Sequence, residues 1–390
     1  MSRRNAARLL PLYAVGFLGY VGFSLLFPVV PQYADSVGTP LALVGVAVGM
    51  FSYVTAVAMV PFGLLSDRVG RRLLLVVGLV LYTVAPLLYL WADGPLLLIV
   101  VRGIHGLASA AFIPAANAIV VDMAPPQRRG EALGWFTGAT MMGFIVGPVT
   151  GGFLLSAFGF DAVFYACSLT SLIALVLVLP WLKGMPESPA AAERSEGTWA
   201  WMGQRRAIGA LLTPLFITFG SGTIVAFMPL YGEELLITAA QVGVMITAVY
   251  AASALVRAPA GRLSDRMGRG RVILSGFAAS ALFVALIAVP TSFPLLVLVG
   301  VAFGLGMGLA MPAAFALVAD LAPPDRRGLA MGAASSSLQA GLALGATAMG
   351  GVAVAVGYAP MFGACGAVMA LGLAVVYLLL RRRGDSGRQG

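Results

Sequence analysis

The sequence is poor in charged residues, cysteine and histidine. Charged residues make up only 10% of its 390 residues and hydrophobic residues 60%, whereas a typical soluble domain is about 25% charged. A water-soluble chain of this length could not bury so much apolar surface, so most of the chain is expected to lie in lipid. A net charge of +9 is compatible with a nucleic-acid partner, but the placement of the basic residues favours a membrane instead.

The scarcity of reactive side chains excludes several classes of protein. Cys167 and Cys365 both lie within apolar runs, far apart in the sequence, which indicates neither a disulfide framework nor a metal site. No Ser/His/Asp set, metal-ligand cluster or phosphate-binding loop is recognisable. We therefore expect no enzyme activity, no catalytic residues, no metal, no cofactor and no nucleic-acid partner.

The sequence is a tandem repeat with an offset of 198 residues. A polar stretch at 63–72, G-L-L-S-D-R-V-G-R-R, recurs at 261–269 as G-R-L-S-D-R-M-G-R. Further residues that match at this offset are Pro31 and Pro229, Tyr33 and Tyr231, Asp122 and Asp320, and Gly130 and Gly328. One register thus holds from residue 31 to residue 130 without a gap, which indicates a doubled structural unit.

Twelve apolar runs reach the length of about 20 residues that a membrane-spanning helix requires. They cover 9–31, 42–64, 72–91, 95–121, 132–156, 160–182, 207–231, 238–260, 271–289, 293–319, 329–354 and 358–380. The first run follows three arginines as a signal peptide would, but it lacks a small-residue cleavage site and is predicted to be a span. The sequence predicts an all-α integral membrane fold. It has a six-helix half at 1–182, a polar linker at 183–206 and a second six-helix half at 207–390 with a short basic tail.

The basic residues lie almost entirely on one side of the predicted spans. Of the 24 basic residues, all but two fall in the termini, the linker and every second loop. The remaining loops carry only acidic residues, namely Asp35, Asp93, Asp161, Glu233 and Glu234. Because cytoplasmic loops are enriched in Lys and Arg, both termini and the linker are predicted to be cytoplasmic, as two parallel six-helix halves require.

The repeated loop contains charges that need partners. Asp67 is too costly to place in lipid unless it is paired or lies at the positive end of a helix. Arg71, four residues later, could reach Asp122 at the end of the fourth span. A basic loop that merely follows the charge bias is the alternative, and its duplication at the same place in both halves argues against that alternative.

The motif G-x-x-x-D-R-x-G-R-R resembles that of the major facilitator superfamily of transporters, and the resemblance covers nearly the whole chain. In that family the motif implies a latch between the second and eleventh helices that steadies the outward-facing state. The residues implied in the latch are Gly63, Asp67, Arg68, Gly70, Arg71, Asp122, Asp265, Arg269 and Asp320.

The fifth span contains a second motif, G-x-x-x-G-P-x-x-G-G, formed by Gly143, Gly147, Pro148, Gly151 and Gly152. Small residues four apart let helices approach closely, and the proline kinks the helix. The complete pattern resembles the antiporter signature of the drug:proton antiporters within the superfamily. Ordinary close packing of helices is the alternative. The eleventh span keeps only Gly341, Gly345, Gly350 and Gly351, without the proline, which favours a conformational role confined to the first half.

Three side chains are candidates for proton or substrate contact. Arg102 lies within the fourth span and matches an R-x-x-x-G element of the antiporters, and extension of its side chain to the outer surface is the alternative. His105, the only histidine, could titrate near neutral pH or serve only as a structural hydrogen-bonding group. Asp35 lies at the outer end of the first span, where a solvated loop carboxylate is the simpler interpretation.

Aromatic and methionine side chains recur on the first, seventh and tenth spans, which line the central cavity in this family. The candidate cavity residues are Tyr20, Phe23, Phe27, Phe219, Phe227, Phe303 and Met307. Such stripes more often reflect packing alone. No Asp or Glu lies in the middle of a span, although many proton-coupled relatives use a buried carboxylate.

The resemblance implies a monomeric secondary transporter of the bacterial inner membrane that exports small amphipathic compounds in exchange for protons. An uncoupled transporter, or an importer of a neutral metabolite such as a sugar, is the first alternative. A membrane receptor or scaffold that does not transport is the second, and it predicts no accessible cavity between the halves.

Overall fold

The computed structural model describes residues 3–183, 199–290, 292–323 and 326–381. In order, the helices are α1 (Arg3–Leu25), α2 (Val30–Ser36), α3 (Leu41–Val69), α4 (Arg71–Leu88), α5 (Pro95–Met123), α6 (Arg129–Lys183), α7 (Arg205–Glu234), α8 (Ala239–Met267), α9 (Arg269–Leu286), α10 (Phe293–Leu321), α11 (Arg327–Val356) and α12 (Tyr358–Leu380). Short 3-10 turns follow α4, precede α6 and occupy Trp199–Gly203 before α7. Most of the predicted linker, 184–198, lies outside the described residues.

Over the described residues the chain makes twelve crossings, as the sequence predicts. Eleven helical segments are long and apolar enough to span a bilayer. One of them, Arg129–Leu182, has 54 residues and is two spans joined at Gly159. The backbone of Gly159 has a φ of 81°, in the region that glycine alone adopts readily. We call residues 129–158 α6a and residues 160–183 α6b. The short helix α2 continues α1 and completes the first span, Leu9–Ser36.

The offset of 198 residues is visible in the backbone. Gly159 corresponds to Gly357 between α11 and α12, and both have a φ of 81°. Gly70 and Gly268, which separate α3 from α4 and α8 from α9, have φ values of 100° and 90°. Each of these last two glycines donates its N–H to a serine carbonyl four residues earlier at 3.1 Å. The same tight turn therefore ends the second helix of each half.

The two halves meet along two matched pairs of helices, α3 with α11 and α6a with α8. A methyl group at Gly45 of α3 would overlap the carbonyl oxygen of Ala346, and one at Gly243 of α8 would overlap that of Pro148. Gly45 and Gly243 are related by the 198-residue offset, and so are Pro148 and Ala346. The interface between the halves is thus itself repeated, with backbone against backbone at equivalent places.

We call the side of the molecule that carries Asp35, Asp93, Asp161, Glu233 and Glu234 the acidic face, and the opposite side the basic face. At the acidic face the halves are in direct contact. Gln32 Nε2 donates to the Pro229 carbonyl at 3.4 Å, and the Ala240 N–H donates to Ser156 Oγ at 3.1 Å. These contacts close the space between the halves on that side.

Toward the basic face the same helices separate. One stripe of α6a shows the change along its length. Gly152 and Pro148 contact α8, and Met141 lines a cavity. A methyl group added at Gly134 or Gly138 would have no other atom within 4 Å.

The equivalent stripe of α11 repeats this pattern at the 198-residue offset. Gly350 and Ala346 contact α3, Gln339 lines the cavity, and a methyl group added at Gly332 would have no other atom within 4 Å. Ser336 contacts α3 between these two levels, through a 3.5 Å hydrogen bond to the Ala56 carbonyl. The molecule is therefore closed at the acidic face and open at the basic face.

Candidate functional site

A cavity of about 240 Å³ lies between the halves. Its walls contain seven aromatic residues, two arginines and several hydroxyl or amide groups. These are Tyr20, Phe23, Phe27, Phe51, Tyr82, Phe144 and Tyr250, then Arg102 and Arg257, then Ser52, Ser109, Thr218, Ser221, Ser335 and Gln339. No carboxylate occurs among the described residues that line it. The site is thus a largely apolar chamber with a few polar groups, as is common for sites that bind small organic molecules.

The aromatic residues form a connected cluster that bridges the halves. Phe23 of α1 stacks on Phe51 of α3, with ring centroids 4.3 Å apart. Phe144 of α6a stacks on Tyr250 of α8 at 5.2 Å, and Phe27 lies 5.8 Å from both of those rings. Four helices therefore contribute flat apolar surfaces to one wall of the cavity.

Arg102 is held inside the bundle by α3. Its side chain is only 5% exposed. Its Nε donates to the Ala47 carbonyl at 3.2 Å and its Nη2 to the Val48 carbonyl at 2.7 Å. The guanidinium carbon lies 5.1 Å from the centroid of the Phe51 ring. The side chain therefore does not extend to the acidic face. Gly106 permits this arrangement, because a methyl group there would lie 2.5 Å from the Phe51 carbonyl oxygen.

Arg257 on α8 is a second cavity arginine that the sequence analysis did not assign. Its Nε is buried and has no hydrogen-bond acceptor among the described residues. The residue 198 positions earlier, Met59, also lines the cavity, so the charge is present in one half only. A basic residue within an apolar span is itself a signal of function. Arg257 is one of the two basic residues that do not fall in the termini, the linker or the basic loops.

His105 does not line the cavity. It is completely buried, and its Nδ1 lies 3.3 Å from the Tyr89 hydroxyl. Its Nε2 has no hydrogen-bond partner among the described residues. The imidazole packs edge-on against Phe51 and Tyr82, with centroids 5.5 and 5.4 Å away. Asp35 is exposed on α2 at the acidic face. Of the three candidates for proton or substrate contact, the structure brings only Arg102 to the cavity.

The predicted cavity residues divide into two groups. Tyr20, Phe23, Phe27 and Met307 line the cavity. The other three, Phe219, Phe227 and Phe303, are buried between helices instead. The Phe227 ring packs near Gly45 and Tyr358, and the Phe303 ring lies against Gly220 of α7. These three do not line the 240 Å³ cavity in this structure, because helical spacing does not distinguish a face that meets a cavity from one that meets a neighbouring helix.

The predicted latch residues lie at the basic face. Arg71 forms an ion pair with Asp122, and the equivalent Arg269 donates from Nε to Asp320 at 2.8 Å. Arg269 also pairs with Asp265 at 2.9 Å. Each of these ion pairs ties helices within one half. The side chain of Asp67 lies outside the described residues. Gly63 and Arg68 lie in the last turns of α3, and Gly70 forms the turn between α3 and α4.

The glycine motif of α6a faces in two directions. Gly143, Gly147 and Gly151 face α1, where an added methyl group would overlap backbone or Cβ atoms between Phe17 and Leu25. Gly152 and Pro148 face α8 of the other half. The motif therefore joins α6a to its own half along one stripe and to the opposite half along another.

A threonine of α8 inserts its hydroxyl into this motif. Thr247 Oγ1 donates to the Ile145 carbonyl at 2.8 Å and accepts from the Val149 N–H at 3.2 Å. In an uninterrupted helix those two backbone groups would bond to each other, and Pro148 between them has no N–H to contribute. One side chain of the second half thus links both ends of a turn in the first half.

A bundle of twelve helices in two matched halves, with a cavity between them closed at one face only, is the architecture of a membrane transporter that alternates access. The chain belongs to the Major Facilitator Superfamily, whose family model matches residues 12–216 and again residues 210–390. It is a multi-pass membrane protein, and it resembles the drug:proton antiporters of that superfamily.

Curated relatives include an uncharacterized MFS-type transporter of Methanocaldococcus jannaschii, which is 27% identical over 357 residues, or 90% of this chain and 92% of the relative. The multidrug resistance protein MdtG of Proteus mirabilis is 28% identical over 270 residues, 66% of this chain and 67% of that protein. MdtG of Serratia proteamaculans is 30% identical over 270 residues, 66% of each chain.

Solved structures share the fold at low sequence identity. A bacterial homolog of the human lysosomal transporter Spinster, in an inward-facing and unoccupied conformation, aligns with a TM-score of 0.81, 15% identity and 98% coverage of both chains. A POT family transporter in complex with 5-aminolevulinic acid aligns with a TM-score of 0.79, 14% identity and 95% coverage of both chains.

Proposed function

We propose that the protein exports small, largely apolar compounds from the cytoplasm by alternating access, in exchange for protons. In this proposal it resides in the inner membrane of a bacterium as a monomer, with both termini, the linker and the basic face in the cytoplasm. The observation that carries the proposal is the aromatic cavity between the halves, closed at the acidic face and open at the basic face. The named multidrug resistance relatives support a substrate of this kind.

The two motifs receive separate roles in this cycle. The contacts of Gly152, Pro148 and Gly243 hold the acidic face shut while the cavity loads from the cytoplasm. The latch residues at the basic face would hold that face shut in the opposite state, with Asp67 as the central residue. Asp67→Asn should therefore reduce export at normal expression, because the outward-facing state loses a charged contact.

The test of export is accumulation of fluorescent aromatic compounds in cells that lack their own efflux pumps. We expect cells with the protein to accumulate less dye than cells with an empty vector, and collapse of the proton gradient to abolish the difference. Equal accumulation for every compound tried would contradict export.

Proton coupling is tested in everted membrane vesicles with an imposed pH gradient. His105 is the candidate proton carrier, because it is the only histidine of the sequence and its ring packs against the cavity residues Phe51 and Tyr82. We expect His105→Gln to abolish gradient-driven uptake and to retain substrate binding. Asp35→Asn should have a smaller effect, because the carboxylate is exposed.

One observation favours a second candidate function, uncoupled transport, or import of a neutral metabolite. The described lining of the cavity contains no carboxylate, and a buried carboxylate is the usual proton carrier in such transporters. If both variants keep wild-type dependence on the pH gradient, uncoupled transport becomes the better description.

A further inference from the structure

The cavity carries positive charge that the protein does not neutralise. Two guanidinium groups line it, and no carboxylate does so among the described residues. Burying a charge without a counter-charge is costly, so buried cations are usually paired. A cavity of one sign also concentrates ligands of the opposite sign, because its low-dielectric walls focus the field.

The two arginines differ in how far the protein satisfies them. Arg102 donates to the carbonyls of Ala47 and Val48 and lies over the Phe51 ring. These contacts within the first half account for its position. Arg257 makes no such contact with a described residue, and its buried Nε is left without an acceptor. A guanidinium group has five N–H donors in a fork that matches a carboxylate or phosphate. Arg257 is therefore the group that lacks a ligand.

Along α8, the contact with α6a at the acidic face, the aromatic rings of the cavity and Arg257 follow one another toward the basic face. The rings of Phe27, Phe144 and Tyr250 contact one another and lie between the closed acidic face and Arg257. Along α8, Tyr250 and Arg257 are seven residues apart, so they lie on one face of the helix at a spacing of roughly 10 Å. Gln339 of α11, which also lines the cavity, offers a further N–H donor.

We propose that this cavity binds amphipathic organic anions, compounds with one carboxylate, sulfonate or phosphate group on an apolar body. The acid group pairs with Arg257, and the apolar body packs against the aromatic cluster. This inference deepens the proposed function and depends on it, because it assigns the class of compound that the exporter carries.

The test compares three probes with one ring system and different charges: 2-naphthoate, 2-naphthamide and 2-naphthylmethylammonium. Binding to the purified full-length protein in phosphatidylcholine nanodiscs is measured by calorimetry, with empty nanodiscs subtracted. We expect 2-naphthoate to bind at least about 10-fold more tightly than the other two, the ratio that 1.4 kcal/mol gives. Zwitterionic lipid keeps anionic headgroups from occupying the site.

Three variants assign the charge preference to one side chain. Arg257→Gln should remove the preference for 2-naphthoate and leave the affinity for 2-naphthamide unchanged, which also shows that the variant is folded. Arg257→Lys should retain part of the preference, because it keeps the charge and loses the fork. Arg262→Gln removes an exposed arginine of the same helix and should behave as wild type.

Equal affinities for the three probes, or undiminished 2-naphthoate binding in Arg257→Gln, would overturn the inference. If Arg257→Gln does not fold, the wild-type preference and the Arg257→Lys protein decide the question. Dye export is measured separately in cells. Export without a charge preference refutes the anion site and leaves the proposed function in place. A charge preference that depends on Arg257, in a protein that exports nothing, supports the site and refutes the exporter.

Discussion

At the scale of single residues, Arg102 serves the structure at least as much as the cavity. Its guanidinium group donates to two carbonyls of α3 that lie in the first half of that helix. Those carbonyls already accept helix hydrogen bonds, so the arginine adds a charged contact between α5 and α3. Hydrogen bonds to charged groups contribute about 1.5–3 kcal/mol each.

We expect Arg102→Lys to lower the midpoint of thermal unfolding, because an ammonium group cannot reproduce the forked contact or the stacking on Phe51. The measurement is tryptophan or dye fluorescence on heating of the purified protein. Arg262→Lys, an exposed change of the same kind, is the control. An unchanged midpoint in Arg102→Lys would show that the two carbonyl contacts contribute little to stability.

At the scale of helices, the contact between α6a and α8, which we call the α6a–α8 seam, helps to close the acidic face in this structure. Thr247 donates and accepts one hydrogen bond across it, and Gly152 and Gly243 allow the backbones to touch. The matching contact between α3 and α11 has Gly49 at the position equivalent to Thr247 and Thr347 at the position equivalent to Val149. The buried Thr347 hydroxyl has no hydrogen-bond partner among the described residues, so the threonine link occurs between α6a and α8 and not between α3 and α11.

Thr247→Val keeps the shape of the side chain and removes both hydrogen bonds. We expect the population to shift toward opening at the acidic face, because two hydrogen bonds contribute about 1–3 kcal/mol and the two states differ by only a few kcal/mol. Electron-electron distances between spin labels at Ser36 and Leu236 would measure the shift. Both native cysteines are buried. Thr247→Ser should behave as wild type, and equal distance distributions in the valine and serine variants would contradict this prediction.

Gly152→Ala tests the backbone contact directly. The added methyl group would overlap the Ala239 carbonyl oxygen, and overpacking of this kind typically costs about 1–3 kcal/mol. We expect longer distances between the same two spin labels and slower export. Gly138→Ala lies on the same stripe and meets no atom within 4 Å in this conformation, so it should not open the acidic face. Opening of similar size in both variants would mean that the effect does not arise from the seam.

At the scale of the whole molecule, the repeat in the sequence predicted most of the architecture. The 198-residue register and the length of the apolar runs gave the twelve crossings. They did not identify the helix faces that line the cavity, because crossing angles and side-chain directions depend on contacts between distant residues. Phe303 and Met307 lie one turn apart on α10, yet only Met307 reaches the cavity. The sequence analysis did not assign Arg257 to the site because this residue belongs to no recognisable motif.

The cavity is open at the basic face in this conformation, and we propose that this face lies in the cytoplasm. A reagent on the cytoplasmic side of the membrane should therefore reach the cavity wall first. Ser335→Cys introduces a thiol into the cavity wall near the basic face. A charged, membrane-impermeant thiol reagent should modify it faster in everted vesicles than in intact cells. Ser36→Cys, exposed at the acidic face, should show the opposite order. Reversal of both orders would place the basic face outside the cell.

The two guanidinium groups in the cavity have an electrical consequence. With a monoanion bound, the cavity carries one positive charge fewer than when it is empty, so the loaded and empty steps of the cycle respond differently to voltage. One elementary charge moved through 100 mV corresponds to about 2.3 kcal/mol. Uncoupled export of a monoanion transfers one charge per cycle, and exchange for one proton transfers two. The charge that crosses a planar bilayer per molecule exported, minus one, therefore gives the number of protons.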